Sequence, residues 1–313
     1  MTAQGARDVK GRGIGAALCV AAAATLWGLW PLWVHLGPAG GTQTATVGFF
    51  TTGVIGTPVA LAWRRRSATR PPRPLKAWLG LALLGAFDAA NVWFYFRALD
   101  VGAVAPAVLS HYLAPVLLAL AAPLVLGEPR SSRTPAGLLL ALGGTAVLVL
   151  TGPDASTAAG QATRQALLYG SASAVCYAGA VLVSKSQSGR FNDAELMAYH
   201  ALVSAALLAP FTGLPRTPRF IIGPMAGGLV SGLGGGILYY AGLRRLPAER
   251  TGVLTYIEPL AALLVGWVFM AEPATPAAAI GAVLILGAGL LVVTAPALPQ
   301  APADHPAPPP PAG

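Results

Sequence analysis

"SHYLAPVLLALAAPLVLGEP" occupies residues 110–129, and "LTYIEPLAALLVGWVFMAEP" occupies residues 254–273. Both stretches place a tyrosine, a proline and a Glu-Pro pair in the same register, at a constant separation of 144 residues. The same separation relates further residues on both sides: Tyr95 to Tyr239, Leu99 to Leu243, Gly137 to Gly281 and Gly143 to Gly287. A repeat at constant spacing predicts two structurally related halves. His111 in the first stretch and Glu258 in the second each place a polar side chain in an apolar run, which indicates a site.

The composition of the chain is typical of a membrane protein, because 55% of its 313 residues are hydrophobic and only 10% are charged. Soluble domains carry roughly 25% charged residues. Apolar runs of about 20 residues, each long enough to cross a bilayer as a helix, recur along the chain. We expect an all-α integral membrane protein with ten transmembrane helices, at residues 14–36, 43–63, 77–99, 103–126, 134–152, 166–187, 194–213, 221–246, 249–271 and 275–296. Both cysteines lie in apolar runs and no metal-ligand spacing occurs, so we expect no disulfide and no metal or other cofactor.

The ten predicted spans form two five-helix repeats. We expect a cytoplasmic N-terminal segment (1–13), a first five-helix repeat (14–152), a linker (153–165), a second five-helix repeat (166–296) and a disordered proline-rich tail (297–313). Because five is an odd number, the second copy must enter the membrane from the opposite side, so the repeats are inverted. Inverted repeats are typical of secondary transporters, which bind substrate near the middle of the membrane between the two halves.

Basic residues are distributed unevenly between the two sides of the predicted membrane topology. With the N-terminus inside, sixteen of the 20 lysines and arginines fall in cytoplasmic segments, and the exceptions are Arg97, Arg164, Arg216 and Arg219. This positive-inside bias predicts that both termini face the cytoplasm of a cell (inner) membrane. The formal net charge of +9 is explained by topology, so we expect no nucleic-acid partner.

Three stretches resemble a known transporter family. They are "LWGLW" in the first span, "YFRALDVGAVAPAVLSHYLAPVLLALAAPLVLGEP" from residue 95, and "YYAGLRRLPAERTGVLTYIEPLAALLVGWVFMAEP" from residue 239. The last two are similar to the paired repeats of EamA-type transporters, in the drug/metabolite transporter superfamily. The resemblance extends over roughly residues 14–296. It implies ten helices in two inverted repeats, transport by alternating access, and export of amino acids or other small metabolites in most members.

Polar side chains in the middle of predicted spans are candidates for binding substrate or a coupling proton, because such groups are costly in the membrane. Asp88, Asn91 and Tyr95 have helical spacing and share one face of the third span. We expect Asp88, His111 and Glu258 to line one central cavity and to be the proton-coupling candidates. The alternative is that they form internal hydrogen bonds that lock helices together. We expect His200 in the seventh span to be structural or peripheral.

Aromatic residues at comparable depths could surround the same cavity. Trp27 and Trp30 are three residues apart on one face of the first span, and tyrosines recur in other spans. Such rings could form an apolar or cation-binding box, although aromatic residues in helices commonly serve packing. The predicted substrate-binding set comprises Trp27, Trp30, Asn91, Tyr95, His111, Tyr112, Tyr177, Tyr239, Tyr256 and Glu258. Pro115 and Pro259 are predicted to kink their helices beside it.

The leading functional hypothesis is a secondary active transporter, an exporter with possible proton coupling, for a small metabolite such as an amino acid. The alternative is an importer of a cationic or quaternary amine through an aromatic cage. A remote alternative is an intramembrane enzyme, but the sequence contains no HExxH and no GxSxG motif, so we expect no catalytic activity. The expected partners are a small-molecule substrate, the lipid bilayer and a coupling proton, for a chain acting as a monomer or homodimer.

Overall fold

The regular structure of this protein is helical. A computed structural model describes residues 3–36, 40–66, 72–101, 104–128, 132–133, 135–137, 139–140, 143–144, 147, 156–212, 221–255, 257–269 and 276–293. No β-strand occurs within these ranges. The all-α prediction is therefore confirmed for the described part of the chain.

The first half supplies six helices with defined bounds: α1 (Ala3–Trp27), α2 (Trp30–Leu36), α3 (Gly41–Arg66), α4 (Leu75–Asp100), α5 (Val104–His111) and α6 (Ala114–Leu126). The second half supplies α7 (Ala158–Ser186), α8 (Asp193–Thr212), α9 (Ile222–Gly227), a π-helical segment (Gly228–Gly234), α10 (Gly235–Leu243), α11 (Ala248–Leu254), α12 (Ile257–Phe269) and α13 (Pro276–Val293). Two helices begin earlier than predicted, because α1 already includes residues 3–13 and α7 starts at Ala158.

Seven helical stretches among the described residues are long and apolar enough to cross a membrane. They are Ile14–Val34, Gly41–Arg66, Leu75–Asp100, Pro106–Leu126, Ala158–Ser186, Asp193–Thr212 and Ile222–Leu243. The predicted fifth span, residues 134–152, lies largely outside the described residues. The structure therefore supports a multi-pass membrane protein, whereas ten helices remain a prediction.

Contacts between helices follow the two-repeat pattern. If the halves are equivalent, the first span corresponds to the sixth, and the third span corresponds to the eighth. A contact between the first and eighth spans then predicts an equivalent contact between the sixth and third spans. Both contacts occur, since α1 packs along α10 and α4 packs along α7. The second and seventh spans, α3 and α8, correspond to each other and pack along each other.

Close approach of α4 to α8 depends on Gly85. A Cβ atom at this position would lie 2.6 Å from the Val203 side chain and 2.9 Å from the backbone oxygen of His200. Only a residue without a side chain allows such an approach without a shift of the backbone. Ser204 reinforces the contact by donating a hydrogen bond to the Gly85 carbonyl at 3.0 Å. Asp88 lies one turn further along α4, so this packing brings its carboxylate beside α8.

Candidate functional site

Three of the predicted spans are interrupted near their middle. The first span breaks at Gly28–Leu29, the fourth at Tyr112–Leu113, and the ninth between α11 and α12. Pro115 lies in the first turn of α6, where the missing N–H of proline costs nothing because no intrahelical partner exists there. Pro259 likewise lies in the first turn of α12. The interruptions therefore precede the two prolines, whereas the sequence predicted kinks at the prolines themselves.

Gly28 brings the break in the first span against α12. A Cβ atom at Gly28 would lie 2.4 Å from the Ala261 Cβ and 2.6 Å from the carbonyl oxygen of Glu258. The glycine in "LWGLW" is thus needed for direct contact between the first span and the backbone that positions Glu258. The first and second halves of the chain meet at this contact.

Glu258 lies in the first turn of α12, where the helix dipole favours a negative charge. Its side chain is hydrogen-bonded to that of Tyr112. It also lies within electrostatic range of the phenol groups of Tyr95, Tyr177 and Tyr239. We call Glu258 and these four tyrosines the central cluster. Its members come from the third, fourth, sixth, eighth and ninth spans, and therefore from both halves.

Two hydroxyl groups of the central cluster have hydrogen-bonding capacity to spare. The Tyr177 hydroxyl approaches those of Tyr239 and Thr255, but neither the Tyr177 nor the Tyr239 hydroxyl reaches full hydrogen-bond geometry with a described group, although both are buried. Trp27 packs against Tyr239 with the ring centroids 4.8 Å apart, and its indole N–H donates to the Ser231 carbonyl at 3.0 Å. Buried polar atoms without partners are rare in proteins, so these hydroxyls are candidate ligand contacts.

His111 is buried beside the central cluster. Its ring centroid lies 5.0 Å from that of Tyr95 and 5.4 Å from those of Tyr112 and Tyr177. Its Nδ1 atom lies 2.9 Å from the Ser173 hydroxyl. Two of the rings predicted to form an aromatic box, Tyr112 and Tyr177, therefore pack around an imidazole together with Tyr95.

A chain of hydrogen bonds leads from His111 to Asp88 and beyond it. The Ser173 hydroxyl lies 2.7 Å from Asn91 Oδ1, and Asn91 Nδ2 lies 3.5 Å from Asp88 Oδ1. The other carboxylate oxygen of Asp88, Oδ2, lies 3.0 Å from Nε2 of His200. Asp88 is thus connected to His111 through two intervening side chains. It also lies within electrostatic range of Tyr239, which interacts with Glu258 as well.

Trp30, a member of the predicted substrate set, is not brought into this arrangement. Trp30 begins α2, beyond the break, and its ring fills the space next to Gly48 and Gly227. Trp27 and Trp30 therefore do not act as one helical face, because the helix is interrupted between them. Tyr256 lies outside the described residues. The remaining members are placed in or beside the central cluster.

Sequence reasoning missed two residues of the hydrogen-bond chain. His200 is not peripheral, because its side chain is only 2% exposed and contacts Asp88. A histidine in the middle of an apolar span was a signal, but periodicity cannot say which other span it faces. Ser173 gave no signal, because serine is common in membrane helices and its hydroxyl usually bonds to its own helix.

Charged side chains cluster at one end of the bundle. Glu195 is buried, accepts from Arg73 at 2.6 Å and lies 3.4 Å from Arg64. It also accepts from the Asn192 backbone N–H, while Asn192 Oδ1 accepts from the Glu195 N–H, a reciprocal cap at the start of α8. Arg64 and Arg73 belong to the first half and Glu195 to the second, so this cluster joins the halves.

A second ionic contact between the halves lies at the same end. Glu128 accepts a hydrogen bond from the Ala248 backbone N–H at 2.9 Å and lies 3.6 Å from the Lys185 ammonium. Lys185 also donates to the carbonyl oxygens of Leu243 and Leu246. Glu128 therefore stabilises the N-terminus of α11, a helix of the other half. Among the described residues, no group of three or more histidine, cysteine or acidic side chains could hold a metal ion.

Comparison with known proteins agrees with this arrangement. The EamA-like transporter family model matches residues 14–150 and again residues 164–294. An uncharacterized transporter of Archaeoglobus fulgidus is 32% identical over 228 residues, which cover 72% of this chain and 78% of that protein. A protein of known crystal structure superposes with a TM-score of 0.66 at 24% identity, over 89% of this chain and 98% of that one.

The two family matches correspond to the two repeats seen in the sequence and in the helix contacts. The structural likeness supports the same fold, and the described helices include seven that could span a membrane. The family resemblance predicted from the sequence is confirmed. The chain therefore belongs to the EamA-like transporter family and is a multi-pass membrane transporter built from two repeats.

Proposed function

We propose that the protein is a secondary active transporter that exports a small metabolite carrying an ammonium group, such as an amino acid, by alternating access. The observation that supports this most directly is the central cluster, where the Glu258 carboxylate lies among four tyrosines contributed by both halves. A substrate bound there would contact both halves, so their relative movement would expose it to either side in turn.

The charge of the central cluster favours an ammonium group on the substrate. Among the described residues, no lysine or arginine is seen in an ion pair with Glu258, whose side chain is hydrogen-bonded to Tyr112. A substrate ammonium would compensate this carboxylate, as buried charges require a partner. Glu258 is therefore the proposed recognition residue for the amino group.

An amino acid also brings a carboxylate, and the site offers donors for it. The buried Tyr177 and Tyr239 hydroxyls have no described partner. The helix α6 begins at Ala114, beside the break in the fourth span, and half-helix N-termini in transporters favour anionic substrate groups. A zwitterion could thus be bound at both ends, with its side chain against Trp27 and Tyr239.

The alternative function, import of a quaternary amine, is favoured by the acidic and aromatic character of the same cluster. Cation–π contacts with tyrosine and tryptophan rings suit such ligands. However, Tyr95, Tyr112 and Tyr177 surround His111, which leaves fewer rings for a cage. We therefore rank the amino-acid exporter first.

The remaining features of the proposal concern topology and coupling. We propose ten membrane spans in inverted repeats, in the inner membrane, with both termini in the cytoplasm. The charged end of the bundle, where Arg64, Arg73 and Lys185 form ion pairs, would then be the cytoplasmic end. Proton coupling through Asp88, His111 or Glu258 and a monomeric or homodimeric state are part of the same proposal.

Thermal unfolding of the detergent-purified protein against a ligand panel would test the site. The panel contains aromatic and aliphatic amino acids, primary and quaternary amines, and sugars. A ligand that binds only the folded protein raises its free energy of unfolding, by about 2.7 kcal/mol at 100 times the Kd. The temperature midpoint of unfolding rises as a result. We expect stabilisation by amino acids in the wild type and its loss in Glu258→Gln.

Asp100→Asn is the matched control, because Asp100 is exposed at the end of α4 and the substitution removes the same charge. It should leave ligand stabilisation unchanged. Stabilisation by choline and not by amino acids would favour the quaternary-amine alternative. Equal stabilisation of the wild type and Glu258→Gln by every binding ligand would contradict the proposed site.

A further inference from the structure

A continuous set of polar contacts joins the two halves within the membrane region. It runs from His200 on α8 to Asp88 and Asn91 on α4, then to Ser173 on α7 and His111 on α5. Ser173 is fully buried, and His200 is 2% exposed. Hydrogen-bond stereochemistry determines where the protons of this chain lie, because each atom can donate or accept only according to its type.

His200 fixes the first proton. Its Nδ1 atom lies 2.6 Å from the Leu196 carbonyl oxygen, and a carbonyl can only accept, so Nδ1 carries a hydrogen. Its Nε2 atom lies 3.0 Å from Asp88 Oδ2. A hydrogen must lie between these two atoms as well, since an unprotonated nitrogen and an ionised carboxylate would repel. The pair therefore holds one dissociable proton, either as imidazolium and carboxylate or as imidazole and carboxylic acid.

The other end of the chain fixes the form of His111. Asn91 must direct its amide nitrogen to Asp88, because the reverse orientation would oppose the amide oxygen and a carboxylate. The single hydroxyl hydrogen of Ser173 then points to Asn91, whose Oδ1 and backbone carbonyl oxygen lie 2.7 Å and 3.0 Å from the hydroxyl oxygen. The His111 Nδ1 atom, 2.9 Å from the same hydroxyl oxygen, must therefore be the donor. In the neutral imidazole, Nε2 is then the acceptor, and it can accept a hydrogen bond from a ligand.

Few other charges face the Asp88–His200 pair. The pair is faced by aromatic side chains, which are the ring of Phe49 on α3 and the phenols of Tyr239 and Tyr240 on α10. On α8 itself the nearest charged group described is Glu195, which Arg64 and Arg73 compensate. Among the described groups within hydrogen-bond distance of Asp88, His200 is the one that can carry a positive charge.

We propose that Asp88 and His200 together form the proton-binding site of this transporter, distinct from the substrate site at Glu258 and connected to it through Asn91, Ser173 and His111. This inference rests on the proposed transport function and specifies its coupling site. Asp88 belongs to the first half and His200 to the second, so the shared proton binds only while α4 and α8 are in contact. Proton binding therefore favours this arrangement of the halves, and movement of the halves releases the proton.

Ring-¹⁵N-histidine NMR of the full-length protein in detergent tests the site without a substrate. Spectra of His111→Gln, His200→Gln and His305→Gln assign the signals. We expect a His200 with both nitrogens protonated, or a His200 with protonated Nδ1 together with an infrared band of a protonated carboxyl group. Asp88→Asn should abolish that second proton and leave Nδ1 of His200 protonated.

A neutral His200 without a protonated carboxyl group, or a His200 whose Nδ1 carries no hydrogen, would overturn the proposal. Ser173→Ala is the second variant, because it breaks the chain without touching the pair. It should change the His111 spectrum and leave the proton of His200 and Asp88 in place. Because these spectra need no substrate, failure of the whole ligand panel would count against the Glu258 site and would leave this result unaffected.

Discussion

At the scale of single residues, the site depends on glycines at positions where a Cβ atom would not fit. Gly28 lies against the backbone of Glu258, and Gly85 lies against the backbone of His200. Each glycine therefore sets the distance between an element of one half and a polar residue of the other. The central cluster and the hydrogen-bond chain share this dependence on close backbone contact.

Gly28→Ala should lower the free energy of unfolding by about 1–3 kcal/mol, the usual cost of overpacking. The added Cβ atom would lie 2.6 Å from the Glu258 carbonyl oxygen, so α12 must shift and ligand stabilisation should fall too. Gly15→Ala is the control in α1, which precedes Gly28, since no atom lies within 4 Å of its Cβ position. Thermal unfolding in detergent compares them, and equal midpoints for the two variants would refute the packing argument.

At the scale of elements, the start of α8 combines a helix cap with a buried ionic contact. Glu195 closes the cap with Asn192 and also binds Arg73, whose side chain is only 11% exposed. One carboxylate thus determines both where α8 begins and where the first half contacts it. The nearby pair of Asp193 with Arg244 is different, because Arg244 is 38% exposed and both residues belong to the second half.

Glu195→Gln should therefore lower the free energy of unfolding by about 1.5–3 kcal/mol, the range for a hydrogen bond to a charged group. Glu195→Ala should cost about 1 kcal/mol more, because the Asn192 backbone N–H loses its side-chain acceptor as well. Asp193→Asn is the matched control and should cost about 0–1 kcal/mol, because its partner Arg244 is largely solvated, at 38% exposure. Urea or thermal unfolding would measure all three. If Asp193→Asn lowered the free energy of unfolding as much as Glu195→Gln, burial of the arginine partner would not determine the strength of these ion pairs.

At the scale of the whole molecule, Lys185 lies where three chain segments meet. It pairs with Glu128 of the first half and donates to carbonyl groups at the end of α10 and just beyond it. These contacts hold the charged end of the bundle together. If the halves move relative to each other during transport, this end must separate, so its contacts set the balance between the two states.

Lys185→Met should shift that balance and expose the start of α11. The test replaces Cys19 and Cys176 by alanine and introduces a cysteine at the buried position Thr251. In Lys185→Met this cysteine should react with a water-soluble thiol reagent about tenfold faster than in the protein with Lys185. A tenfold change corresponds to a shift of about 1.4 kcal/mol in the equilibrium between the two states. Arg245→Met is the control, because the Arg245 guanidinium donates to the Ala241 carbonyl of the adjacent α10. An unchanged labelling rate in Lys185→Met would exclude a role for this contact in closing the bundle.

The sequence by itself determined the class of protein, most of the spans and the repeat. Apolar runs of membrane-crossing length and a constant separation of 144 residues are local or one-dimensional signals, so they need no tertiary information. Polar residues within apolar runs also predicted that Glu258, His111, Asp88 and the tyrosines lie together around one cavity within the membrane. The sequence also predicted a kink at Pro115, because proline cannot donate a backbone hydrogen bond, whereas the structure interrupts the span just before it.

Only the tertiary structure decided which spans face each other, and therefore which polar groups are partners. Asp88 pairs with His200, 112 residues away, and Glu128 caps a helix that begins 120 residues later. Trp30 turns away from Trp27 because the helix breaks between them. Helical periodicity specifies a face of each helix but not the neighbour of that face. The proton pair and the contacts between halves arise from packing between distant segments, which no local pattern encodes.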